Sequence, residues 1–265
     1  MARVLALSSH VVRGHVGLDA TVPALQWLGH EVWALPTVEL ASRPGLGRME
    51  RRDATGPQLV AMLSALEADD CWPMLDAVMT GYFVTPDAVT AVAEAIERIR
   101  QANPRLLVLV DPVLGDADRL YVARATAEAI RDRLLPLATI ATPNSFELRW
   151  LAAAGDKDPA DAESMARRLG PPTVVVTSAA ETETELSTLL VTRTERVGRS
   201  APRRPAIPNG AGDLFAGLIL GHLLNGLGDC AALDASLADL DRVLAASSGR
   251  DVLTLAALWS AGGSP

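Results

Sequence analysis

The sequence predicts an α/β fold around a mostly parallel sheet, and three observations carry that expectation. Short apolar runs of strand type alternate with longer segments whose apolar residues recur at helical spacing. The runs are apolar almost throughout, as strands covered on both faces must be. Polar, Gly and Pro residues gather just after the runs, at the edge of a parallel sheet where ligands bind. In order, the predicted strands are RVLALS (3–8), EVWALP (31–36), DAVMTG (76–81), LLVLVD (106–111), ATIATP (138–143) and TVVVTS (173–178). Segments 18–29, 56–69, 86–102 and 124–135 read as helices between them, which makes βαβ units. Residues 179–198, AAETETELSTLLVTRTERVG, suggest an antiparallel hairpin at the sheet edge with a solvated acidic turn. The tail AGGSP reads as a frayed end.

The chain has 265 residues, 49% of them hydrophobic, enough for a large core. No linker, composition break or repeat divides it, so a single domain spanning 1–265 is expected. A net charge of −8 argues against a nucleic-acid or anionic-membrane surface and favours small-molecule partners. Cys71 and Cys230 stand far apart with no C-x-x-C spacing, so two ordinary half-buried thiols are expected rather than a zinc site or a disulfide. The start MARVLALSSH has too short an apolar run for a signal peptide, and no stretch reaches the roughly 20 apolar residues of a membrane helix. A soluble, cytoplasmic protein is the expectation.

Chemistry concentrates in PNGAGDLFAGLILGHLLNG (208–226). A helix beginning near Ala211 exposes the N–H groups of Gly210, Ala211 and Gly212 at its positive end, a cradle for an anion. Asp213 then lies in the first turn, where a carboxylate can take a proton from a hydroxyl attacking phosphorus. A plain helix start, with Asn209 as cap and Asp213 as a favourable first-turn charge, fits the same spacing.

The other segments tip the balance. SHVVRGHVG near the amino end, LPTVEL, TGY, NPRLLVLVDPVLGD, LATIATPNSFEL, VVVTS and GAGDLFAG occur in order from about residue 3 to about residue 225. This combination resembles the pyridoxal kinases of the ribokinase-like superfamily. The resemblance implies a three-layer α/β/α architecture, ATP and magnesium (Mg2+) with a monovalent cation as a further candidate, and a homodimer. It also implies phosphorylation of the 5'-hydroxymethyl group of pyridoxal, as in vitamin B6 salvage. By resemblance Asp213 is the general base, and the amides of Gly210, Ala211 and Gly212 form the anion hole. Asp111 and Asp116 match positions of the phosphate and metal region, and Asn144 and Glu147 match the nucleotide and magnesium network, with Asp111 and Glu147 nearest the metal. Thr177, Ser178 and Tyr121 match positions near the nucleotide. Ser9 matches a residue that hydrogen-bonds the pyridine ring, and Val16, Val38, Leu40 and Tyr82 match pocket-lining positions.

Without the resemblance, several of these have plainer readings. DPVLGD also fits an ordinary strand-end turn, and TPNSFE fits Asn144 capping a helix with Glu147 completing a capping box. Thr177 and Ser178 also read as strand-end hydroxyls, Tyr121 and the apolar pocket residues as core. His10 and His15 read as structural.

The chain departs from the family in the flap, Thr37 to Arg48. ASRPG (41–45) puts Arg43 where a His is expected and Pro44 where a Thr is expected. Leu18 stands in an Asn position of the first loop, and Ala211 replaces a frequent Thr without removing the amide. Two alternatives remain. A hydroxymethylpyrimidine or phosphomethylpyrimidine kinase shares DPV and TPN but resembles G-T-G-C where this chain has Asp213. A catalytically silent B6-binding protein would bind ligand without ATP turnover.

Overall fold

The computed structural model describes residues 1–48, 50–116, 119–153 and 161–260; the tail expected to fray lies outside them. In chain order the elements begin with β1 (Arg3–Val11), α1 (Leu18–Trp27), β2 (Glu31–Leu40), β3 (Arg51–Asp53), α2 (Gly56–Ala68), β4 (Ala77–Thr80) and α3 (Pro86–Ala102). The middle of the chain forms β5 (Leu107–Val110), β6 (Gly115–Asp116), β7 (Arg119–Leu120), α4 (Arg124–Ala129), β8 (Ile140–Ala141), α5 (Ser145–Leu151) and α6 (Ala162–Arg168). Then come β9 (Thr173–Glu181), β10 (Glu185–Thr192), β11 (Arg196–Pro202), α7 (Ala211–Leu224) and α8 (Asp229–Ser247).

These elements fall into two compact units, one made of residues 1–54, 74–81 and 204–265, the other of 55–73 and 82–203. In the first unit β1 pairs in parallel with both β2 and β4, and β3 closes the edge antiparallel to β2. Strand β1 is buried along nearly its whole length, which is why RVLALS is a continuous apolar run rather than an alternating one. Strand β2 runs four residues past the predicted end at Pro36. The β1–β2 register shifts there, with Ser8 opposite Pro36 but Ser9 opposite Val38, so Thr37 is the extra residue of a bulge. A proline without an N–H is tolerated in a strand at such a point, and bulges re-aim side chains.

Helices α1 and α7 of this unit pack closely because α7 offers glycines to its neighbour. A Cβ on Gly217 would lie 3.1 Å from the Thr21 backbone, and one on Gly221 would meet the Leu28 side chain at 2.5 Å. The helix that follows α7, α8, is not among the segments read from the sequence. Its buried positions include Ser236, Asp239 and Ser247, which break the apolar stripe by which helices are recognised.

In the second unit β5, β8 and β9 are parallel neighbours, and β9, β10 and β11 form an antiparallel run, extending the expected hairpin by one strand. β11 alternates exposed and half-buried residues, the pattern of an edge strand. α3 matches its predicted segment residue for residue. The helix expected over 124–135 is instead α4 followed by a π turn at Ile130–Leu134 and a 3-10 turn at Leu135–Leu137. Pro136 explains the break, since it supplies no N–H and its ring crowds the preceding turn. The short strands β3, β6 and β7 carry two or three residues each, too few for a period to show. Both cysteines are free and half-buried, as expected.

Replacing Gly217 with Leu should drive a side chain into the α1 backbone and cost about 1–3 kcal/mol of stability. Urea unfolding with an unchanged m-value would register it.

Candidate active site

The first unit carries the Gly-rich helix start. Gly210 caps α7 in a left-handed conformation, φ 106°, with no side chain in the capping role, so Asn209 is not the cap. A Cβ at Gly210 would sit 1.9 Å from the carbonyl oxygen of His15, so only glycine allows the first loop to press against this turn. Gly212 is a glycine for a different reason. A Cβ there would meet nothing within 4 Å, which leaves open space over the first-turn amides. These amides have no partner inside the helix and point along its positive end.

Asp213 follows in the same turn. It is half-buried, and the atoms packed around its carboxyl push its pKa up to about 6, opposed by hydrogen bonds from the backbone N–H of Gly17 and its own. Near neutral pH the group is therefore an ionised carboxylate of raised basicity.

Gly17 is held as tightly as Gly210. At φ 56°, its Cβ position lies 2.2 Å from Ser9 Oγ. Below the β2 bulge Ser9 faces Val38 and Val11 faces Leu40 across adjacent strands, and Ser9, Val16, Val38 and Leu40 are all buried. The bulge thus aligns the polar Ser9 with the expected apolar wall. Asp19, in the first turn of α1, closes the loop by accepting from Val11 N at 2.7 Å, and it pairs with His10 Nδ1 at 2.9 Å. His15 Nδ1 lies 3.2 Å from the Asp19 carbonyl, so both histidines are tied into the loop framework.

The second unit gathers the other acidic candidates. Asp111, just past β5, is buried and accepts a hydrogen bond from Thr142 Oγ1 at 2.8 Å. Glu147 is only 4% exposed. Its Oε2 accepts from Asn144 N at 2.8 Å while Asn144 Oδ1 accepts from Glu147 N at 2.9 Å, completing the capping box of α5. Its Oε1 accepts from Leu114 N at 2.9 Å, which fixes the strand-end turn of DPVLGD. Burial, and then the neighbouring Asp111 charge, push the Glu147 pKa up to about 8. Asn144 Nδ2 donates to the Gly115 carbonyl at 2.9 Å, and Asn144 forms a parallel bridge with Thr177. Asp111, Asn144, Glu147 and Thr177 are thereby brought into one network. Ser178 follows with φ 48°, a left-handed backbone that costs a non-glycine residue energy; β9 continues past it to Glu181, so Thr177 and Ser178 lie within the strand rather than at its end, where the β9–β10 register shifts.

Asp116 and Tyr121 belong to the small β6–β7 hairpin and its end. Tyr121 is 52% exposed, too open for a core tyrosine, and its hydroxyl is pushed to a higher pKa by partial burial and by the Asp116 and Glu147 charges. Tyr82, two residues past β4, is half-buried. Sequence reasoning missed the Gly17 amide on Asp213 and the Thr142 hydroxyl on Asp111. Their only signals were a glycine just before a helix and a threonine at a strand end. Among the described residues no three or more His, Cys, Asp or Glu side chains form a ready metal cluster.

Residues 58–251 match the family model described as phosphomethylpyrimidine kinase. A pyridoxal kinase of Granulibacter bethesdensis is 36% identical over 270 residues, 96% of this chain and 94% of its own. A pyridoxal kinase of Corynebacterium diphtheriae is 33% identical over 228 residues, 83% of this chain and 81% of its own. Among solved structures, pyridoxal kinase from Leishmania donovani in complex with ADP and pyridoxamine aligns with a TM-score of 0.91 at 29% identity, covering 100% of this chain and 98% of its own. The same organism's enzyme with ADP and pyridoxine gives 0.87 at 31% identity, covering 97% and 93%.

Glu147→Ala should leave the Leu114 and Asn144 amides without acceptors and cost about 1–3 kcal/mol. Urea unfolding would measure the loss, and faster hydrogen exchange at Leu114 would locate it.

Proposed function

The chain belongs to the pyridoxal kinase family, with its ribokinase-like α/β fold, and from that premise we propose that it transfers the γ-phosphoryl group of ATP to the 5'-hydroxymethyl group of pyridoxal or a close relative. The observation that carries this reading is the start of α7. There a basic carboxylate, an unobstructed row of amides and a glycine-held loop occur together.

Asp213 is the general base. It is ionised at neutral pH, oriented by the Gly17 N–H, and basic enough to accept the hydroxyl proton as the oxygen attacks phosphorus. The amides of Gly210, Ala211 and Gly212 stabilise negative charge on the transferring group, and the missing side chain of Gly212 gives that group room. Ser9 orients the ring through its hydroxyl, and Val16, Val38, Leu40 and Tyr82 supply apolar contacts. The flap from Thr37 to Arg48 limits access of water.

On the nucleotide side we assign Asp111, Asp116, Tyr121, Asn144, Thr177 and Ser178. Magnesium fits Asp111 and Glu147, because a cation beside the two buried carboxylates would ease the repulsion by which the Asp111 charge raises the proton affinity of Glu147. Magnesium uses few carboxylates and takes its remaining ligands from phosphates and water. When bound, the metal supplies neutralisation of phosphate charge. Both units then serve one kinase domain over 1–265. The family resemblance extends the reading to a cytoplasmic homodimer. No helix among the described residues is long and apolar enough to cross a membrane.

The family match described as phosphomethylpyrimidine kinase makes hydroxymethylpyrimidine the rival acceptor. Asp213, standing where that group resembles a Cys, favours the pyridoxal reading. Purified protein with magnesium and ATP should phosphorylate pyridoxal in a panel with pyridoxine, pyridoxamine and hydroxymethylpyrimidine. Preference for the pyrimidine would transfer the enzyme to the rival class, and binding without turnover would make it a silent B6 binder. Asp213→Asn should lower kcat about 100-fold or more while leaving ligand binding in place, as expected for loss of a general base. In the wild type, kcat/KM for pyridoxal should fall as pH drops through about 6, where Asp213 becomes protonated, and hold on the alkaline side of that value.

A further inference from the structure

The flap departs from its family at Arg43, and the structure gives that side chain specific partners. Its Nε donates to the Asp251 carbonyl at 3.1 Å, and its Nη2 donates to the same oxygen. The third nitrogen, Nη1, donates to the Pro44 carbonyl at 3.0 Å and so stiffens the flap tip itself. The Arg43 backbone N–H donates to the carbonyl of Arg13 in the first loop at 3.0 Å. The methylene stem lies flat on Gly14, where an added Cβ would be 3.0 Å from Arg43 Cγ.

One residue therefore joins three segments of the same unit. The first, the flap, continues from the Val38–Leu40 end of β2. The second, the first loop, carries Val16 and the Gly17 amide that orients Asp213. The third, the turn at 249–254, is anchored rigidly: Ser247 Oγ, itself fully buried, accepts from Thr254 N at 2.8 Å, and the Arg250 N–H donates to the Ser247 carbonyl at 3.0 Å. Leu253 of that turn packs over Gly210, its Cδ1 3.2 Å from where a Cβ would stand. A guanidinium suits this bridging task, because its planar fork reaches separate acceptors at once, which an ammonium cannot do in the same geometry. The acceptors are backbone carbonyls, so the tie does not depend on an acidic partner.

We propose that Arg43 is a positioning residue of the reaction, a tether that holds the flap and the first loop against the fixed 249–254 turn. Through that loop it sets how well the alcohol substrate is received beside Asp213. It touches no reacting atom and acts through Val16 and the Gly17 amide. The inference rests on the kinase reading above for its kinetic consequence only.

The test compares wild type, Arg43→Ala and Arg43→Lys by hydrogen exchange on the substrate-free protein and by steady-state kinetics with ATP and pyridoxal. In Arg43→Ala, amides of 12–17 and of 41–48 should exchange about tenfold faster, because an opened tether frees both segments. KM for pyridoxal should rise about fivefold to tenfold, with kcat changed by less than twofold. Arg43→Lys, which keeps the charge but not the fork, should fall between the two in both readouts. Unchanged exchange over 12–17 in Arg43→Ala overturns the tether, as does a loss confined to kcat. A wild-type enzyme that leaves pyridoxal untouched overturns the kinase reading instead, while the exchange data still decide the tether.

Discussion

The contact between the first loop and the start of α7 is the constraint on which the rest of the site depends. At Gly210 and at Gly17 the backbones approach so closely that no side chain fits, and both residues hold left-handed conformations that glycine alone adopts cheaply. The pair of helices behind them keeps the same theme, since Gly217 and Gly221 let α7 lie against α1. The result is a loop whose amide reaches a carboxylate 196 positions away in sequence, with no flexible side chain in between. Preorganisation of this kind needs little rearrangement at the moment of reaction, which is where such a site gains over water.

The carboxylates of Asp213 and Glu147 both have raised pKa values, and their surroundings set them apart. Asp213 receives only backbone donors and keeps part of its surface open, so it ionises at neutral pH and remains free to accept a proton. Glu147 is enclosed, spans two turns with both of its oxygens, and faces a second carboxylate, so its proton is harder to remove. In the proposed reaction the same functional group therefore serves as a reagent in one unit, while in the other it braces two turns.

Much of this was legible in the sequence, for identifiable reasons. The strands were visible because buried parallel strands are apolar on both faces, and α3 because its apolar residues keep one helical stripe. The cap at Asn144 and Glu147 was visible because a capping box is a local pattern three residues long. Asp213 and its glycines stood out through spacing and resemblance together. What escaped reading depends on partners far apart in the chain. Thr142 reaches Asp111 across 31 positions, and Gly210 is glycine because of a carbonyl at His15, neither of which leaves a periodic trace. The helix α8 escaped because its buried serines and Asp239 disguise an inward face as a polar one; Asp239 is in fact paired there with His222 Nε2 at 2.8 Å.

The way the chain is divided between its two units also bears on synthesis. The second unit is complete once residue 203 has been made, whereas the first takes its opening strands from 1–54 and its last two long helices from 204 onward. A ribosome thus releases β1, apolar on both faces, long before α7 arrives to pack with α1. That early segment must stay shielded from association for most of translation. Asp213, the proposed general base, is among the last parts to emerge, so an interrupted chain would carry the residues proposed to hold the nucleotide without it.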